Sequence, residues 1–300
     1  MKCCIPGLLC AVLVSTTVGG QVPTPTFRSE GRLVTVNASI QLGRRPLLGL
    51  TAADLVVLDN GVQQAVVQVD YETVPLDVTV IVDVSESSLS ALKDIERDAA
   101  RVTSFLRPSD RLRVLAVDTY VHELVPMNPV RTMTVQPPTR IGGWSAVHDS
   151  IAAALLVTAD PDRRRLVVAL TDGSDNTSGT SAEQFVNIAR ATDSALMIVQ
   201  TGLGPRSSGV PDRLPYLIGQ PNLRALEEAA RVTGGEVFRE SAFGNSRIEA
   251  VERIIDVFRQ SYVLRYMATG VEPKGWHEVD VRIKGRPDAS VRARRGYFGG

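Results

Sequence analysis

A short, nearly continuous run of apolar and β-branched residues, 77–87, constrains the fold of this chain more than any other stretch. Its interior, Val-Thr-Val-Ile-Val, has the composition of a strand that is buried on both faces of a parallel sheet. The run ends abruptly in Asp83, Ser85 and Ser87. In open α/β sheets, ligands bind beyond the carboxyl ends of the strands, so we expect a functional site at this end of the run.

The spacing of these three polar residues favours a metal site. Asp83, Ser85 and Ser87 lie two residues apart, and in an extended chain this spacing turns their side chains to the same side. Three converging oxygen donors are suited to a hard divalent cation. The alternative interpretation is a set of polar strand ends and helix caps, because serine-rich turns after strands are common.

Two later stretches have similar features. Gly142, Gly143, Trp144 and Ser145 place a hydroxyl at the start of a predicted helix, after a glycine turn. Residues 166–171 form another strand-like run, which is followed by Asp172 and Gly173. Ser145 is also a candidate helix N-cap, and in that role its oxygen would accept a backbone N–H hydrogen bond instead of binding a metal.

Taken together and in this order, the three stretches resemble the metal-ion-dependent adhesion site of the von Willebrand factor type A domain family. In that family, hydroxyls of the first two loops bind Mg²⁺ or Mn²⁺ directly, aspartates commonly act through water, and an acidic group of the partner completes the coordination shell. The resemblance implies one metal site, whose residues are Asp83, Ser85, Ser87, Ser145 and Asp172. Ser145 stands where threonine is usual, and Trp144 stands where a small residue is more common.

The pattern of strands and helices divides the chain into regions. From Asp77 onward strands and helices alternate, which predicts a doubly wound, mostly parallel, Rossmann-like α/β sheet flanked by helices. We assign this von Willebrand factor type A-like domain to residues 75–260. The segments 31–74 and 261–298 are strand-rich, and we expect them to pair with each other as a small all-β accessory unit. Within the α/β region, Ser181 and Gln184 have the spacing of a helix capping box.

The first twenty residues are typical of an export signal. Lys2 provides a positive start, and Leu8–Val14 is an apolar stretch that is too short to span a bilayer. We therefore predict a signal peptide at 1–20, a linker at 21–30, and a secreted or periplasmic, envelope-associated product without an integral membrane segment. The flanking motifs are also similar to those of secreted bacterial proteins that carry a type A-related domain.

Composition narrows the range of partners. Lys+Arg and Asp+Glu both total 33, which argues against nucleic acid as the principal partner. All three cysteines fall within the predicted signal peptide, so no disulfide is expected in the mature chain. A stripe of arginines between 282 and 295 could bind an anionic ligand, but a solvated sheet face is the more common explanation.

These observations favour a binding module over an enzyme. Ser145, His148 and Asp149 lie close together, but no third group that would orient a catalytic histidine is evident, so we expect no enzymatic activity. The predicted function is an exported, metal-dependent adhesion module that coordinates an acidic group of a partner protein through Mg²⁺ or Mn²⁺. The alternatives are a structural or assembly module with a vestigial or purely stabilising metal site and, third, a metal-dependent hydrolase.

Overall fold

The computed structural model describes residues 32–43, 45–85, 95–130, 142–157, 160, 162–201, 220–239 and 246–299. The predicted signal peptide and linker at 1–30, Ser87, and most of the Gly/Pro-rich stretch 202–221 lie outside the described residues. Among the helices of the described chain, none is long and apolar enough to cross a membrane.

The described chain begins with five strands and a short 3-10 helix at Ala52–Asp54. The strands are β1 (Leu33–Leu42), β2 (Arg45–Pro46), β3 (Leu55–Asp59), β4 (Val62–Gln64) and β5 (Val66–Tyr71). Asn60 and Gly61 connect β3 to β4 with φ values of 46° and 79°. Asn and Gly tolerate these positive values, which a tight hairpin turn requires.

An α/β region follows. Its elements are β6 (Leu76–Asp83), α1 (Ile95–Phe105), β7 (Arg111–Val117), β8 (Val121–Pro129), α2 (Val147–Leu155), β9 (Arg164–Thr171), α3 (Ala182–Ala191), β10 (Ala195–Gln200), α4 (Gln220–Val232), β11 (Glu236–Arg239) and α5 (Arg247–Arg259). The predicted capping box of α3 is confirmed: Gln184 N donates to Ser181 Oγ at 3.2 Å, and Ser181 N donates to Gln184 Oε1 at 2.9 Å.

The six strands of this region form one sheet in the order β11-β10-β9-β6-β7-β8. β6 pairs in parallel with β9 and β7, β10 pairs in parallel with β9 and β11, and β8 runs antiparallel to β7. Every residue of β6 is buried, as the apolar run predicts. The prediction of an α/β, Rossmann-like fold is therefore confirmed, and the carboxyl ends of β6 and β9 lie side by side.

Two apolar clusters pack the helices against this sheet. One cluster joins Val80 and Val82 of β6 to residues of α1 and α5. The other joins Ile81 of β6 to residues of α2, α3 and α4. Successive side chains of a strand point to opposite faces, so helices cover both faces of the sheet and β6 is excluded from solvent.

The chain ends in four strands, β12 (Tyr262–Met267), β13 (Gly275–Ile283), β14 (Ala289–Ala293) and β15 (Gly296–Gly299). β1 pairs antiparallel with both β12 and β14, and β3 pairs antiparallel with β13. One apolar cluster lies between these strands and includes Val36, Val57 and Leu264. Strands from the two ends of the chain therefore share one hydrophobic core.

Gly234 and Gly235 allow a close contact between this β unit and the α/β region. A Cβ atom on Gly235 would lie 1.8 Å from the Leu196 carbonyl oxygen, and one on Gly234 would lie 2.6 Å from the backbone nitrogen of Arg294. Gly234 also has a φ of 80°, which favours glycine. The end of α4 can therefore approach both β10 and the chain just after β14.

Arg164, the first residue of β9, forms a second connection. Its guanidinium donates to the Phe258 carbonyl at 2.7 Å and to Asn37 Oδ1 at 2.8 Å, and it lies 4.1 Å from the centre of the Phe258 ring. A cation at this position satisfies carbonyls at the C-terminal end of α5 that have no partner within the helix. Burial lowers the pKa of Arg164, whose relative exposure is 4%.

We predict that Arg164→Met lowers the free energy of unfolding by about 2–4 kcal/mol, because buried acceptors on α5 and β1 lose their donor. Urea denaturation measures the change. The control is Arg113→Met, which removes a partly exposed ion pair with Glu123 worth at most about 1 kcal/mol. Equal losses in the two variants would contradict the role assigned to Arg164.

Candidate functional site

The carboxylate of Asp83 lies at the end of β6 and accepts hydrogen bonds from three separate segments. Ser85 donates to Asp83 Oδ1 through its backbone N at 3.0 Å and its hydroxyl at 2.6 Å. Asp83 Oδ2 accepts the hydroxyls of Ser145 at 3.2 Å and Thr171 at 2.8 Å. Asp83, Ser85, Ser145 and Thr171 are each no more than 3% exposed. The end of β6, the loop before α2 and the end of β9 therefore meet on one carboxylate.

This arrangement fixes the direction of the hydroxyl groups. Each hydroxyl has one hydrogen and two lone pairs, and each of these three hydroxyls gives its hydrogen to Asp83. A hydroxyl that donates its hydrogen can still accept a hydrogen bond or bind a cation through its oxygen. Hydroxyl and carboxylate oxygens are the donor atoms that Mg²⁺ and similar hard cations prefer, so the donor set fits such an ion.

Ser145 does not cap α2. The N-cap residue of α2 is Ala146, which makes no side-chain capping hydrogen bond, and the Ser145 hydroxyl donates to Asp83 instead. The alternative prediction, in which the Ser145 oxygen serves a helix N–H group, is therefore wrong.

The loop that carries Ser145 is held by the residues that follow β7. Asp118 Oδ2 accepts the Gly142 N–H at 3.0 Å, and the Asp118 carbonyl accepts the Ala146 N–H at 2.9 Å. Thr119 Oγ1 accepts the Trp144 N–H at 3.2 Å. The Trp144 side chain is 66% exposed, next to a buried serine. Asp118 was not predicted from the sequence, although an aspartate at the end of a buried strand is the same signal that identified Asp83.

The end of β9 and the turn after it contribute Thr171 and Asp172 to the site. Thr171 Oγ1 donates to Asp83 and accepts the Gly173 N–H at 3.0 Å, so both functions of the hydroxyl are used. Asp172 Oδ1 accepts the Ser174 N–H at 2.8 Å, which shapes the turn after β9. Of Thr171 and Asp172, only Asp172 was predicted from the sequence.

The structure thus brings together Asp83, Ser85 and Ser145 through direct hydrogen bonds. Asp172 follows Thr171 at the adjacent strand end, and Ser87 lies outside the described residues. Within the part of the chain that the structure describes, no group of three or more His, Cys, Asp and Glu side chains could hold a metal ion.

His148 is paired with Asp175, not with Ser145. His148 Nδ1 lies 3.2 Å from Asp175 Oδ2, and the imidazole stacks on the Phe185 ring at a centroid distance of 4.7 Å. The Ser145 hydroxyl donates to Asp83. Asp175 is the orienting carboxylate that the sequence did not reveal, but Ser145 and His148 do not form the hydrogen-bonded nucleophile and base of a catalytic triad.

The arginine stripe near the C-terminal end of the chain is largely paired with carboxylates. Arg282 contacts Asp280 at 2.6 Å, and Arg286 contacts Asp288 at 3.2 Å. Arg292 and Arg294 form ion pairs with Glu236 and Asp193, respectively. These pairs reduce the net charge that the stripe could present to an anionic ligand.

We predict that Thr171→Val lowers the free energy of unfolding by about 1–3 kcal/mol, because Asp83 loses a donor and the Gly173 N–H loses its acceptor. Urea denaturation of the metal-free protein measures this loss. The control is Thr103→Val, whose exposed bond to the Ala100 carbonyl should contribute no more than about 0.5 kcal/mol. If Thr171→Val lost no more stability than Thr103→Val, the Thr171 hydroxyl would not be important for the hydrogen bonds around Asp83.

Asp149, near the start of α2, gives a prediction about pH. Burial opposes ionisation, but hydrogen bonds from Thr180 and Gly179 outweigh it and hold the pKa of Asp149 below its ordinary value of 3.8. The stabilisation that ionised Asp149 contributes is therefore complete above its ordinary pKa of 3.8. It is lost as the pH falls through the lower pKa of the folded state. We expect the free energy of unfolding to fall less for Asp149→Asn than for the unmodified chain when the pH is lowered from 5 to 3. Urea denaturation at the two pH values measures both changes. Identical losses would contradict this assignment.

Comparison with known proteins gives likenesses only among solved structures. No protein-family model matches the sequence, and no curated protein matches it. An aerotolerance-related membrane protein from Bacteroides fragilis is 15% identical with a TM-score of 0.42, over 61% of this chain and 98% of that one. The SpRpn10 VWA domain is 14% identical with a TM-score of 0.37, over 57% of this chain and 95% of that one.

Manganese-loaded TRAP protein from Plasmodium vivax is 14% identical with a TM-score of 0.39, over 80% of this chain and 97% of that one. All three TM-scores are below 0.5, so the assignment of a family depends on the chain's own residues. Asp83 and Ser85 of the first motif, Ser145 of the second and Thr171 of the third meet at the carboxyl ends of β6 and β9. In its motifs and their arrangement, the chain is similar to the von Willebrand factor type A family.

Proposed function

We propose that this chain carries a von Willebrand factor type A-like, doubly wound α/β domain that binds Mg²⁺ or Mn²⁺ and, through the ion, an acidic group of a partner protein. The observation that carries the proposal is the convergence of three hydroxyls, from three segments, on the buried carboxylate of Asp83. A strand-end turn or a helix cap requires only one such contact. The convergence supports a site that is built for a ligand.

The residues divide into two roles in this proposal. Ser85 and Ser145 hold the ion through hydroxyl oxygens, and Ser87 adds a third hydroxyl because it continues the same two-residue spacing. Asp83 orients the hydroxyls and, together with Asp172, balances the charge of the ion, and Asp172 accepts hydrogen bonds from water at the site. Thr171 acts on Asp83, because its oxygen already accepts the Gly173 N–H.

The preference for an acidic partner follows from the charges of these groups. The hydroxyls are neutral, and the charge of Asp83 is shared among three hydroxyl donors and a backbone N–H. A bound divalent cation would supply a strongly electrophilic centre, and neutral ligands compensate its charge only in part. A carboxylate from a partner protein is the complementary ligand.

Export and domain organisation belong to the same proposal. The segment 1–20 directs the chain to the envelope or the exterior, which is supported by Lys2 and the apolar stretch Leu8–Val14. Segments 31–74 and 261–298 act together as an accessory β unit for the domain at 75–260, which is supported by the pairing of β1 with β12 and β14. We propose no enzymatic activity.

A structural or assembly module is the second candidate, and one observation favours it. The Asp83 carboxylate has four hydrogen bonds from protein groups alone, so the cluster can stabilise the loops without an ion. Both candidates allow a cation to raise the melting temperature. Only the adhesion module predicts capture of an acidic partner that requires the cation and is reversed by a chelator.

We predict that the unmodified chain binds Mg²⁺ and Mn²⁺ in isothermal titration calorimetry, and that Asp83→Ala lowers the affinity by at least about 10–100-fold. A cation at 100 times its dissociation constant should stabilise the unmodified chain by about 2.7 kcal/mol. Envelope proteins retained on the immobilised chain in Mg²⁺ should be released by a chelator and should not bind Asp83→Ala.

The matched control is Asp77→Asn, at the opposite end of the same strand, where the carboxylate pairs with Arg111 at 2.9 Å and Arg163 at 2.5 Å. This variant should lose stability but keep its affinity for the cation. The absence of both binding heat and thermal stabilisation in the unmodified chain would refute the metal site. Cation binding without chelator-sensitive retention of a partner would favour the structural module.

A further inference from the structure

The N-terminus of α2 is capped by a loop from another part of the chain. We call residues 175–180 of the loop after β9, together with residues 145–149 at the start of α2, the interloop clasp. The His148 N–H donates to Asp175 Oδ1 at 3.3 Å, and the Asp149 N–H donates to Ser178 Oγ at 3.1 Å. These two bonds satisfy N–H groups that the first turn of a helix leaves without intrahelical partners.

The clasp is reciprocal. In the opposite direction, the Asp149 carboxylate accepts the N–H groups of Gly179 at 2.8 Å and Thr180 at 2.9 Å. The backbone of the loop also contacts a candidate metal ligand directly, because the Ser145 carbonyl accepts the N–H groups of Asn176 at 2.8 Å and Thr177 at 3.2 Å. The start of α2 and the loop after β9 therefore fix each other at several points.

Asp175 is the central acceptor of the clasp. The Ser178 hydroxyl donates to Asp175 Oδ1 at 2.5 Å, and His148 Nδ1 lies 3.2 Å from Asp175 Oδ2. His148 is 1% exposed, and its Nε2 atom is buried without a hydrogen-bond partner in the described chain. A hydrogen on Nδ1 rather than Nε2 fits these surroundings, because Nδ1 faces a carboxylate. Both the backbone N–H and the imidazole of His148 therefore contact the Asp175 carboxylate.

The clasp includes one proposed ligand, Ser145, and lies close in sequence to another residue of the proposed site, Asp172. Ser145 is three residues before His148, and Asp172 is three residues before Asp175. The loop before α2 and the loop after β9 also meet on Asp83, through Ser145 and Thr171. The position of Ser145 relative to Asp172 thus depends on both Asp83 and the clasp.

We propose that Asp175, held by His148 and Ser178, is a positioning residue that sets the separation of Ser145 and Asp172 and thereby the cation affinity of the site. This inference rests on the proposed metal-binding function and adds a determinant outside the five candidate ligands. The physical reason is preorganisation, because ligands that are held in place lose less conformational freedom when an ion binds. Groups that orient metal ligands typically contribute 10–100-fold to metal affinity.

The β unit contains a closely matched control pair. His277 Nδ1 lies 2.8 Å from Asp59 Oδ1, and the His277 ring stacks on Tyr297 at a centroid distance of 4.5 Å. His277 is also 1% exposed, and its Nε2 atom is buried without a hydrogen-bond partner in the residues described. Both pairs join a buried histidine to an aspartate, but only the pair of His148 and Asp175 belongs to the clasp beside the proposed cation site.

The first experiment measures Mg²⁺ affinity by isothermal titration calorimetry for the unmodified chain, Asp175→Ala, Asp175→Asn and His277→Gln. We expect Asp175→Ala to raise the dissociation constant roughly 10–100-fold. Asp175→Asn should have an intermediate dissociation constant, because the amide oxygen of the asparagine can still accept the backbone N–H of His148. His277→Gln should lose stability and keep the dissociation constant within about twofold, since a general loss of stability does not move the ligands.

The second experiment needs no substitution and decides the question even if Asp175→Ala fails to fold. The chain has three histidines, so their side-chain nitrogen resonances can be assigned by NMR and followed during a Mg²⁺ titration. We expect the His148 resonances to shift with the same midpoint as the calorimetric binding curve. The His277 resonances should not shift.

The outcomes separate this inference from the function on which it rests. If the unmodified chain binds Mg²⁺ and Asp175→Ala binds it within twofold, the positioning role is overturned and the metal site stands. Static His148 resonances during saturation with Mg²⁺ would overturn the role in the same way. If the unmodified chain does not bind Mg²⁺, both the proposed function and the positioning role fail.

Discussion

The hydrogen bonds to Asp83 are the contacts on which the architecture of the candidate site depends. A carboxylate that is 2% exposed would be costly without partners, and four donors from three segments satisfy it. The same contacts hold the ends of β6 and β9 and the loop before α2 at fixed positions. One buried charge thus combines two roles: it organises the loops, and it directs hydroxyl oxygens toward a common point.

Much of the fold was predictable because its signals are local. The apolar run 77–83 gave the central buried strand, and Ser181 and Gln184 gave the start of α3. The strand spacing also gave Asp83 and Ser85, whose side chains meet as expected. Predicting the role of Thr171 would have required the register of β6 against β9. In that register Val82 lies opposite Leu170, so the next residues, Asp83 and Thr171, are neighbours. That register cannot be read from the sequence, whereas the aspartate that follows the strand-like run can.

Other parts of the site depend on contacts between residues that are distant in sequence. Ser145 has the sequence features of a helix cap, and only its contact with Asp83 and the cap at Ala146 distinguish the two roles. Asp175 has the features of a turn residue, yet it contacts His148, 27 residues away. Periodicity and capping rules describe neighbours along the chain, so neither contact could be predicted from them.

The β unit has a polar centre of the same kind. Asp59 accepts the hydroxyls of Tyr266 at 2.9 Å and Tyr297 at 2.7 Å, in addition to contacting His277. Burial and these hydrogen bonds raise the pKa of both tyrosines. Each of the four residues belongs to a different strand, so the cluster fixes the relative positions of strands from both ends of the chain.

The position of β1 has a mechanical consequence. β1 lies between β12 and β14, with an antiparallel hydrogen-bonded ladder on each side. A force applied along the axis of β1 would act on both ladders. Both ladders would then be loaded in shear, so that many hydrogen bonds resist at once, whereas peeling a strand from an edge breaks its bonds one after another.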